Sequence, residues 1–185
     1  MIRLIALMIA FVCIAPALAA PLPPGLDPQN TIFLDTKYGR VIIRLRPELA
    51  PKHAERIKML AREHFYDNAP FHRVIPGFMA QTGDGERGDG TGKSKYPDLP
   101  AEFSKVPFTR GVVGMARATS PNSANSQFFI MFGETPSLNG QYTVVGEVVS
   151  GMDAIDRIKK GSSANNGVVT DPDRIVRMEV AADAK

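Results

Sequence analysis

The sequence predicts a mostly-β domain in which one antiparallel sheet closes into a barrel with helices at its ends. Seven or eight short segments alternate apolar and polar residues, a pattern typical of strands with one buried face. Only two segments have helical spacing, so the strand-helix alternation of a parallel sheet is not indicated. The chain of 185 residues is 44% hydrophobic and 22% charged, which fits a single globular domain.

A hairpin and a helix are predicted at the start of the domain. Residues 31–36 and 40–46 both alternate, and a tyrosine-glycine pair between them suits a tight turn. Pro51 is well placed in the first turn of a helix, and apolar residues then recur at helical spacing. We therefore expect a β-hairpin followed by an amphipathic helix over residues 51–63.

Two short strands and a long loop are predicted next. The strands cover residues 70–75 and 78–82, and residues 83–101 are rich in glycine. A phosphate-binding loop is disfavoured because no helix is predicted to open after this segment. A surface loop beside a binding site is the better interpretation.

The second half of the domain is again mostly strands. Asn139-Gly140 is a strong signal for a hairpin turn that leads into the strand after it. The remaining predicted elements are strands at 111–116, 126–132, 142–149 and 174–181 and a short helix at 152–160.

The first nineteen residues are predicted to be a secretory signal peptide. A positively charged start is followed by an apolar run, and residues 17–19 have the small-x-small pattern of a cleavage site after Ala19. The run is shorter than the about 20 residues of a membrane span, although an uncleaved anchor is the alternative. We expect a signal peptide over residues 1–19, a proline-rich linker over 20–30 and the folded domain over 31–182.

Several classes of function find little support in the composition. The net charge is +3 and the Lys and Arg residues are scattered, so nucleic-acid binding is not predicted. The only cysteine, Cys13, lies in the predicted signal peptide, so the mature chain would use neither disulfides nor thiol chemistry. The three histidines are not spaced with further metal ligands, and no serine lies in a GxSxG motif.

Two motifs remain as candidates for a functional site: FHRVIPGFMAQ at residues 71–81 and SQFF at 126–129. Alternate residues of a strand share a face, so Phe71 and Arg73 are predicted to point one way and His72 the other. A permanent cation among large apolar side chains and uncharged amides suits a reaction that needs polarisation and a dry pocket. The spacing alone leaves open that the phenylalanines are core residues and Arg73 an ordinary surface charge.

Taken together, the two motifs resemble those of cyclophilin-type peptidyl-prolyl cis/trans isomerases, and the resemblance runs from Thr31 to Val180. It implies a closed eight-stranded antiparallel β-barrel capped by two α-helices, a monomer, and an isomerase that needs no cofactor and no metal. Its partners would be proline-containing polypeptides. The similarity to bacterial exported members implies a periplasmic protein without stable membrane insertion once the signal is cleaved.

The resemblance also implies a role for particular residues, with Arg73 as the catalytic residue. An apolar pocket would take the proline ring, while amides and backbone groups would hold the peptide. The residues implied to bind substrate are His72, Phe78, Met79, Gln81, Ala116, Arg117, Gln127, Phe129, Leu138 and Tyr142. Ser137 lies where eukaryotic members often have tryptophan, which implies weak cyclosporin binding.

Two hypotheses of different class follow. The first is an exported enzyme that accelerates X–Pro rotation while exported proteins fold. The second is a proline-peptide-binding module or holdase chaperone whose turnover is incidental. The presence of both Arg73 and Gln81 favours the enzyme, because a pure binder does not need the polarising group.

Overall fold

The structure is a computed structural model that describes residues 22–184, and in this part eight strands form one antiparallel sheet. The strands and helices are β1 (Thr31–Thr36), β2 (Gly39–Leu45), α1 (Pro51–Arg62), β3 (Arg73–Ile75), β4 (Met79–Thr82), β5 (Val112–Met115), β6 (Phe128–Met131), β7 (Val144–Ser150), α2 (Met152–Asp156) and β8 (Ile175–Val180). Every predicted strand and helix is present, although the second helix ends at Asp156. The predicted signal peptide and Cys13 lie outside the described residues.

The sheet is an open half-barrel, so the prediction of a closed barrel is wrong. Its strand order is β3-β4-β6-β5-β7-β2-β1-β8, and no ladder joins the first strand to the last. The segment before β3 is linked to the region of β8 by an isolated bridge between Pro70 and Arg174, on either side of which Phe71 N donates to the Asp173 carbonyl and Ile175 N to the Ala69 carbonyl. The bridge does not extend into a ladder, because Asn68, two residues before Pro70, has a left-handed backbone with φ of 64° in place of the extended conformation of a strand.

The hairpin predicted at Asn139-Gly140 is also wrong. The turn itself forms, since Gln141 N donates to the Leu138 carbonyl at 3.0 Å and Gly140 has φ of 68°. However, β5 lies between β6 and β7 in the sheet, so the strands on either side of this turn do not pair. A local turn signal does not determine which strand becomes the neighbour.

Alternation along the strands separates two apolar clusters. Val74, Ala80 and Ile130 contribute to the main core, together with the buried side of α1. Their neighbours in sequence point to the other face of the sheet, where a smaller cluster forms around Met79 and Phe129. The side chains of the two motifs on this face therefore pack on the smaller apolar cluster, separate from the main core.

One further finding concerns membranes. Between residues 22 and 184, no helix has the length and apolar character needed to cross a bilayer.

Candidate active site

Three adjacent strands bring Arg73, Gln81 and Phe129 into one row. Arg73 of β3 lies opposite Gln81 of β4, and Gln81 lies opposite Phe129 of β6. Directly paired residues project to the same side of a sheet, so these side chains are neighbours. The two motifs, distant in sequence, thus form one continuous surface.

Hydrogen bonds connect the polar members of this surface. Arg73 Nη1 donates to Gln81 Oε1 at 3.2 Å, and Gln81 Nε2 donates to Gln127 Oε1 at 3.0 Å. Gln127 Nε2 donates in turn to the carbonyl oxygens of Gly90 and Gly92, both at 3.0 Å. Each amide turns its oxygen toward the arginine and its NH₂ group away, so both amide orientations are fixed.

Asp84 holds the glycine loop that receives Gln127. Its buried carboxylate accepts the backbone N–H groups of Arg87, Gly90 and Gly92 at 2.9, 2.9 and 3.0 Å. Burial by itself raises the pKa of Asp84, but these N–H groups stabilise the charged form more strongly, and the pKa lies below its usual range. The loop is therefore organised around a buried negative charge.

The opposite side of the Arg73 guanidinium contacts Asn166. Arg73 Nε donates to the Asn166 carbonyl oxygen at 3.0 Å and Nη2 donates to Asn166 Oδ1 at 2.9 Å. Within residues 22–184, no carboxylate lies at ion-pairing distance from Arg73. Burial lowers the pKa of Arg73, yet a guanidinium remains protonated at neutral pH. A full positive charge is thus fixed beside Phe129 without a negative partner.

Aromatic rings form the apolar part of the site, and Gly114 of β5 makes room for them. A Cβ at position 114 would lie 2.4 Å from Phe129 Cζ and 2.6 Å from Phe108 Cε1. The Phe129 and Phe108 rings stack with centroids 5.7 Å apart, and Tyr142 meets Phe129 edge-on at 5.8 Å. The Arg117 guanidinium lies 4.5 Å from the centre of the Tyr142 ring.

A cavity of about 160 Å³ opens in front of the row. It is lined by Arg73, Phe78, Met79, Gln81, Ala116, Arg117, Phe129, Leu138 and Tyr142. A second cavity of about 270 Å³ shares Gln81, Ala116 and Arg117 with the first, and Gln127 lines it. The structure therefore brings together ten of the eleven residues named from the sequence, nine of them around one cavity.

The backbone where the two cavities meet has free hydrogen-bonding groups. Ala116 N donates to the carbonyl oxygen of Gln127, the residue before β6, at 2.9 Å. In the described part of the chain, the Ala116 carbonyl and the Arg117 N–H have no hydrogen-bond partner. An extended peptide across the two cavities would find a donor and an acceptor there.

His72 and Phe71 lie elsewhere. The buried His72 ring packs under Gly90 and lines neither cavity, and among the described residues its two ring nitrogens have no hydrogen-bond partner. Burial lowers the pKa of His72, so the ring is neutral at pH 7. Phe71 lies in the main core, so the prediction that it shares a face with Arg73 is wrong. The β3–β4 ladder begins only at Arg73, and strict alternation does not extend before it.

Three contributors to the site were missed in the sequence. A glycine inside an apolar strand indicates that another group approaches closely, and this signal could have marked Gly114. Phe108 precedes its strand and carries no motif. Asn166 is 93 residues from Arg73, and the glycine after it indicates only a turn.

The groups that line the first cavity can polarise a bound ligand. Its lining offers the guanidiniums of Arg73 and Arg117, the neutral amide of Gln81 and apolar walls, with neither a serine, a cysteine nor a carboxylate. Over residues 22–184, no group of three or more His, Cys, Asp or Glu side chains is placed to hold a metal ion. The site can bind an apolar ring, hydrogen-bond the adjacent backbone and place positive charge on one atom of the ligand.

Comparison with known protein families identifies the family to which this chain is similar. The family model for cyclophilin type peptidyl-prolyl cis-trans isomerases matches residues 31–180. A curated relative from Brucella suis, named a probable peptidyl-prolyl cis-trans isomerase, is 62% identical over 169 residues, which cover 86% of each chain. The peptidyl-prolyl cis-trans isomerase-like 3 of Gallus gallus is 39% identical over 133 residues, covering 70% of this chain and 81% of the relative.

Solved structures agree with the family assignment. A cyclophilin of Hirschia baltica superposes with a TM-score of 0.77 at 28% identity, covering 86% of this chain and 77% of the other. A cyclophilin of Cryptosporidium parvum, crystallised in the presence of the dipeptide Ala-Pro, gives a TM-score of 0.74 at 28% identity, covering 81% and 98%. This chain belongs to the cyclophilin-type peptidyl-prolyl cis-trans isomerase family and is an isomerase.

Proposed function

We propose that this isomerase is exported, acts as a periplasmic monomer on proline-containing polypeptides, and accelerates X–Pro rotation as exported proteins fold. Arg73 is its catalytic residue in this proposal. The fixed, uncompensated charge of Arg73 at the edge of an apolar cavity is the observation that carries it. The Ala-Pro dipeptide used with the related Cryptosporidium parvum cyclophilin supports a proline-containing ligand for the cavity.

The reaction explains why a guanidinium suffices without a nucleophile or a metal. Rotation about an X–Pro bond has a barrier of about 18–20 kcal/mol, because the nitrogen lone pair is delocalised into the carbonyl. In the twisted state that delocalisation is lost, and the prolyl nitrogen becomes pyramidal and a better hydrogen-bond acceptor. A guanidinium N–H of Arg73 that reaches this nitrogen forms a bond that is strong only in the twisted state. Such differential binding lowers the barrier.

The rest of the site would hold the peptide in the pose that this contact requires. The proline ring enters the cavity formed by Phe78, Met79, Phe129 and Leu138. The free backbone groups of Ala116 and Arg117 and the amides of Gln81 and Gln127 pair with the peptide backbone. Water is excluded from the ring contact, which strengthens the guanidinium hydrogen bond.

The decisive experiment is Arg73→Ala in an isomerisation assay on X–Pro peptides. A hydrogen bond from a charged group contributes about 1.5–3 kcal/mol, so kcat/KM should fall by about 10- to 150-fold with the fold intact. Arg62→Ala is the matched control, because its guanidinium pairs with Asp183 on the surface, and it should keep normal activity. Near-normal activity of Arg73→Ala would remove the catalytic role.

Refolding separates the enzyme from a binding module. A client protein whose slow folding phase reflects proline isomerisation should refold faster with the wild-type chain and not with Arg73→Ala. If the variant still rescues the client fully, binding alone explains the effect, and the holdase hypothesis replaces the proposal.

Export is tested on the N-terminus of the protein from cells. Mass spectrometry of a periplasmic fraction should find a chain that begins at Ala20, the residue after the predicted cleavage site. An intact chain beginning at Met1 in the cytoplasmic or membrane fraction would contradict the predicted location.

A further inference from the structure

We propose that Asn166 is a positioning residue that holds the Arg73 guanidinium through two neutral acceptors and leaves its charge available to the substrate. The inference rests on the catalytic role proposed for Arg73. Arg73 Nε and Nη2 donate to the carbonyl and the Oδ1 of this one residue at 3.0 and 2.9 Å. Nη1 donates to Gln81 Oε1 and has a long contact of 3.9 Å with Met79 Sδ, so four of the five N–H donors have an acceptor and one N–H of Nη2 remains free.

The backbone conformation of Asn166 allows this double contact. Its φ is 50°, in the left-handed region, where asparagine is tolerated better than most residues. It follows a 3-10 turn at Ser163–Asn165, and its own N–H donates to the Ser163 carbonyl at 3.2 Å. Because the chain reverses at this point, the carbonyl and the side chain of a single residue can reach the same guanidinium.

The loop that carries Asn166 is fastened to the strand that carries Arg73. Val74 N donates to the Gly167 carbonyl at 2.7 Å, and Gly161 N donates to the Val74 carbonyl at 2.9 Å. A Cβ on Gly161 would lie 2.3 Å from the Gly167 carbonyl oxygen, so the two ends of the loop are in close contact. The acceptors are thus fixed relative to β3, as positioning requires.

The neutrality of the acceptors matters as much as their geometry. A carboxylate at position 166 could accept the same hydrogen bonds, but it would form an ion pair and reduce the positive potential in the cavity. Asn166 and Gln81 orient the guanidinium with dipoles, so its net charge is not cancelled. An oriented charge of this kind needs no rearrangement when the prolyl nitrogen develops its lone pair.

The test compares Asn166→Gly with Asn165→Gly. Glycine at 166 keeps the left-handed backbone and the carbonyl acceptor but removes Oδ1, so kcat should fall by about tenfold with KM nearly unchanged. Rotation of the Arg73 NH₂ groups, measured by ¹⁵N NMR, should become faster. Asn165→Gly, one residue earlier and outside the guanidinium contacts, should change neither quantity. Wild-type kcat and unchanged NH₂ rotation in Asn166→Gly would overturn the proposal.

Asn166→Asp separates orientation from charge. The aspartate should keep the slow NH₂ rotation of Arg73 while still lowering kcat by about tenfold, because the orientation survives and the potential does not. Wild-type kcat in this variant would contradict the role of neutrality. If Asn166→Gly lowers the thermal midpoint so far that this variant cannot be assayed, the proposal is decided by the NH₂ rotation and the kcat of Asn166→Asp.

A double variant keeps this proposal distinct from the catalytic role of Arg73. If Asn166 acts through Arg73, adding Asn166→Gly to Arg73→Ala should lower kcat no further. A further tenfold loss would show that Asn166 acts independently and would overturn the positioning role. Normal activity of Arg73→Ala by itself would instead refute the catalytic assignment.

Discussion

Gly114 offers a sharp test of how the apolar part of the site is built. We predict that Gly114→Ala folds but loses most isomerase activity. The added methyl would lie 2.4 Å from Phe129 Cζ, 2.6 Å from Phe108 Cε1 and 2.8 Å from Phe129 Cε2. Both rings are at most 4% exposed and stacked on one another, so neither can move freely within the core. The cavity beside Phe129 is the open space into which that ring can retreat.

The magnitudes follow from these distances. Ordinary contact begins at 3.4 Å, so a separation of 2.4 Å requires the Phe129 ring to move by about 1 Å. Overpacking of this kind costs about 1–3 kcal/mol of unfolding free energy, which corresponds to a fall of about 2–12 °C in Tm for a chain of this length. A misplacement of about 1 Å in an active site can lower the rate by about 100-fold. The loss of activity should therefore exceed what the loss of stability explains.

The assay pairs thermal unfolding with isomerase kinetics on the same samples. Gly39→Ala is the control, because its Cβ would find no atom closer than 4.0 Å but its φ of 134° strains any other residue by about 1–3 kcal/mol. It should lose similar stability and keep normal kcat/KM. If Gly114→Ala keeps wild-type activity, or if Gly39→Ala loses as much, the ring is not held in place as argued.

Three further variants test other parts of the site. Arg73→Lys should lose activity almost as completely as alanine, because one ammonium cannot reproduce a planar fork held at three nitrogens; isomerisation kinetics check this. Asp84→Asn should lower stability at pH 7, because a carboxyl group whose pKa is depressed in the folded protein stabilises the fold while it is charged. Chemical denaturation should show that the difference in stability from the wild type shrinks as the pH falls below about 4. Ser137→Trp, next to the cavity residue Leu138, should strengthen inhibition by cyclosporin, and an unchanged inhibition curve would show that this position does not limit binding.

Local patterns in the sequence predict the strands well, because each strand segment itself contains the alternation of apolar and polar residues. The same alternation correctly separates side chains such as Val74 and Arg73 onto opposite faces of β3. It fails at Phe71, which lies before the start of β3 and is buried in the main core. Pairing of β4, β5 and β6 depends on packing between distant segments, and no local signal predicts it.

The errors in topology have the same origin. Asn139-Gly140 forms its turn, but the choice of β5 as the neighbour of both β6 and β7 is made by packing across the sheet. Closure of the barrel goes no further than the isolated bridge between Pro70 and Arg174, next to the left-handed backbone of Asn68. Asn166 was missed because its importance depends entirely on folding next to Arg73, 93 residues away.

The energetics explain why so many residues hold the active site in a fixed geometry. One charged hydrogen bond supplies about 1.5–3 kcal/mol, whereas a millionfold acceleration requires about 8 kcal/mol. The remainder must come from holding the peptide and the guanidinium in the geometry of the twisted state before rotation begins. Hydrogen bonds run without a break from Asn166 through Arg73, Gln81 and Gln127 to the glycine loop over Asp84. A substitution at Asn166 or Asp84, the two ends of this line, should therefore lower kcat more than it raises KM, because it loosens the catalyst without removing a group that binds the peptide.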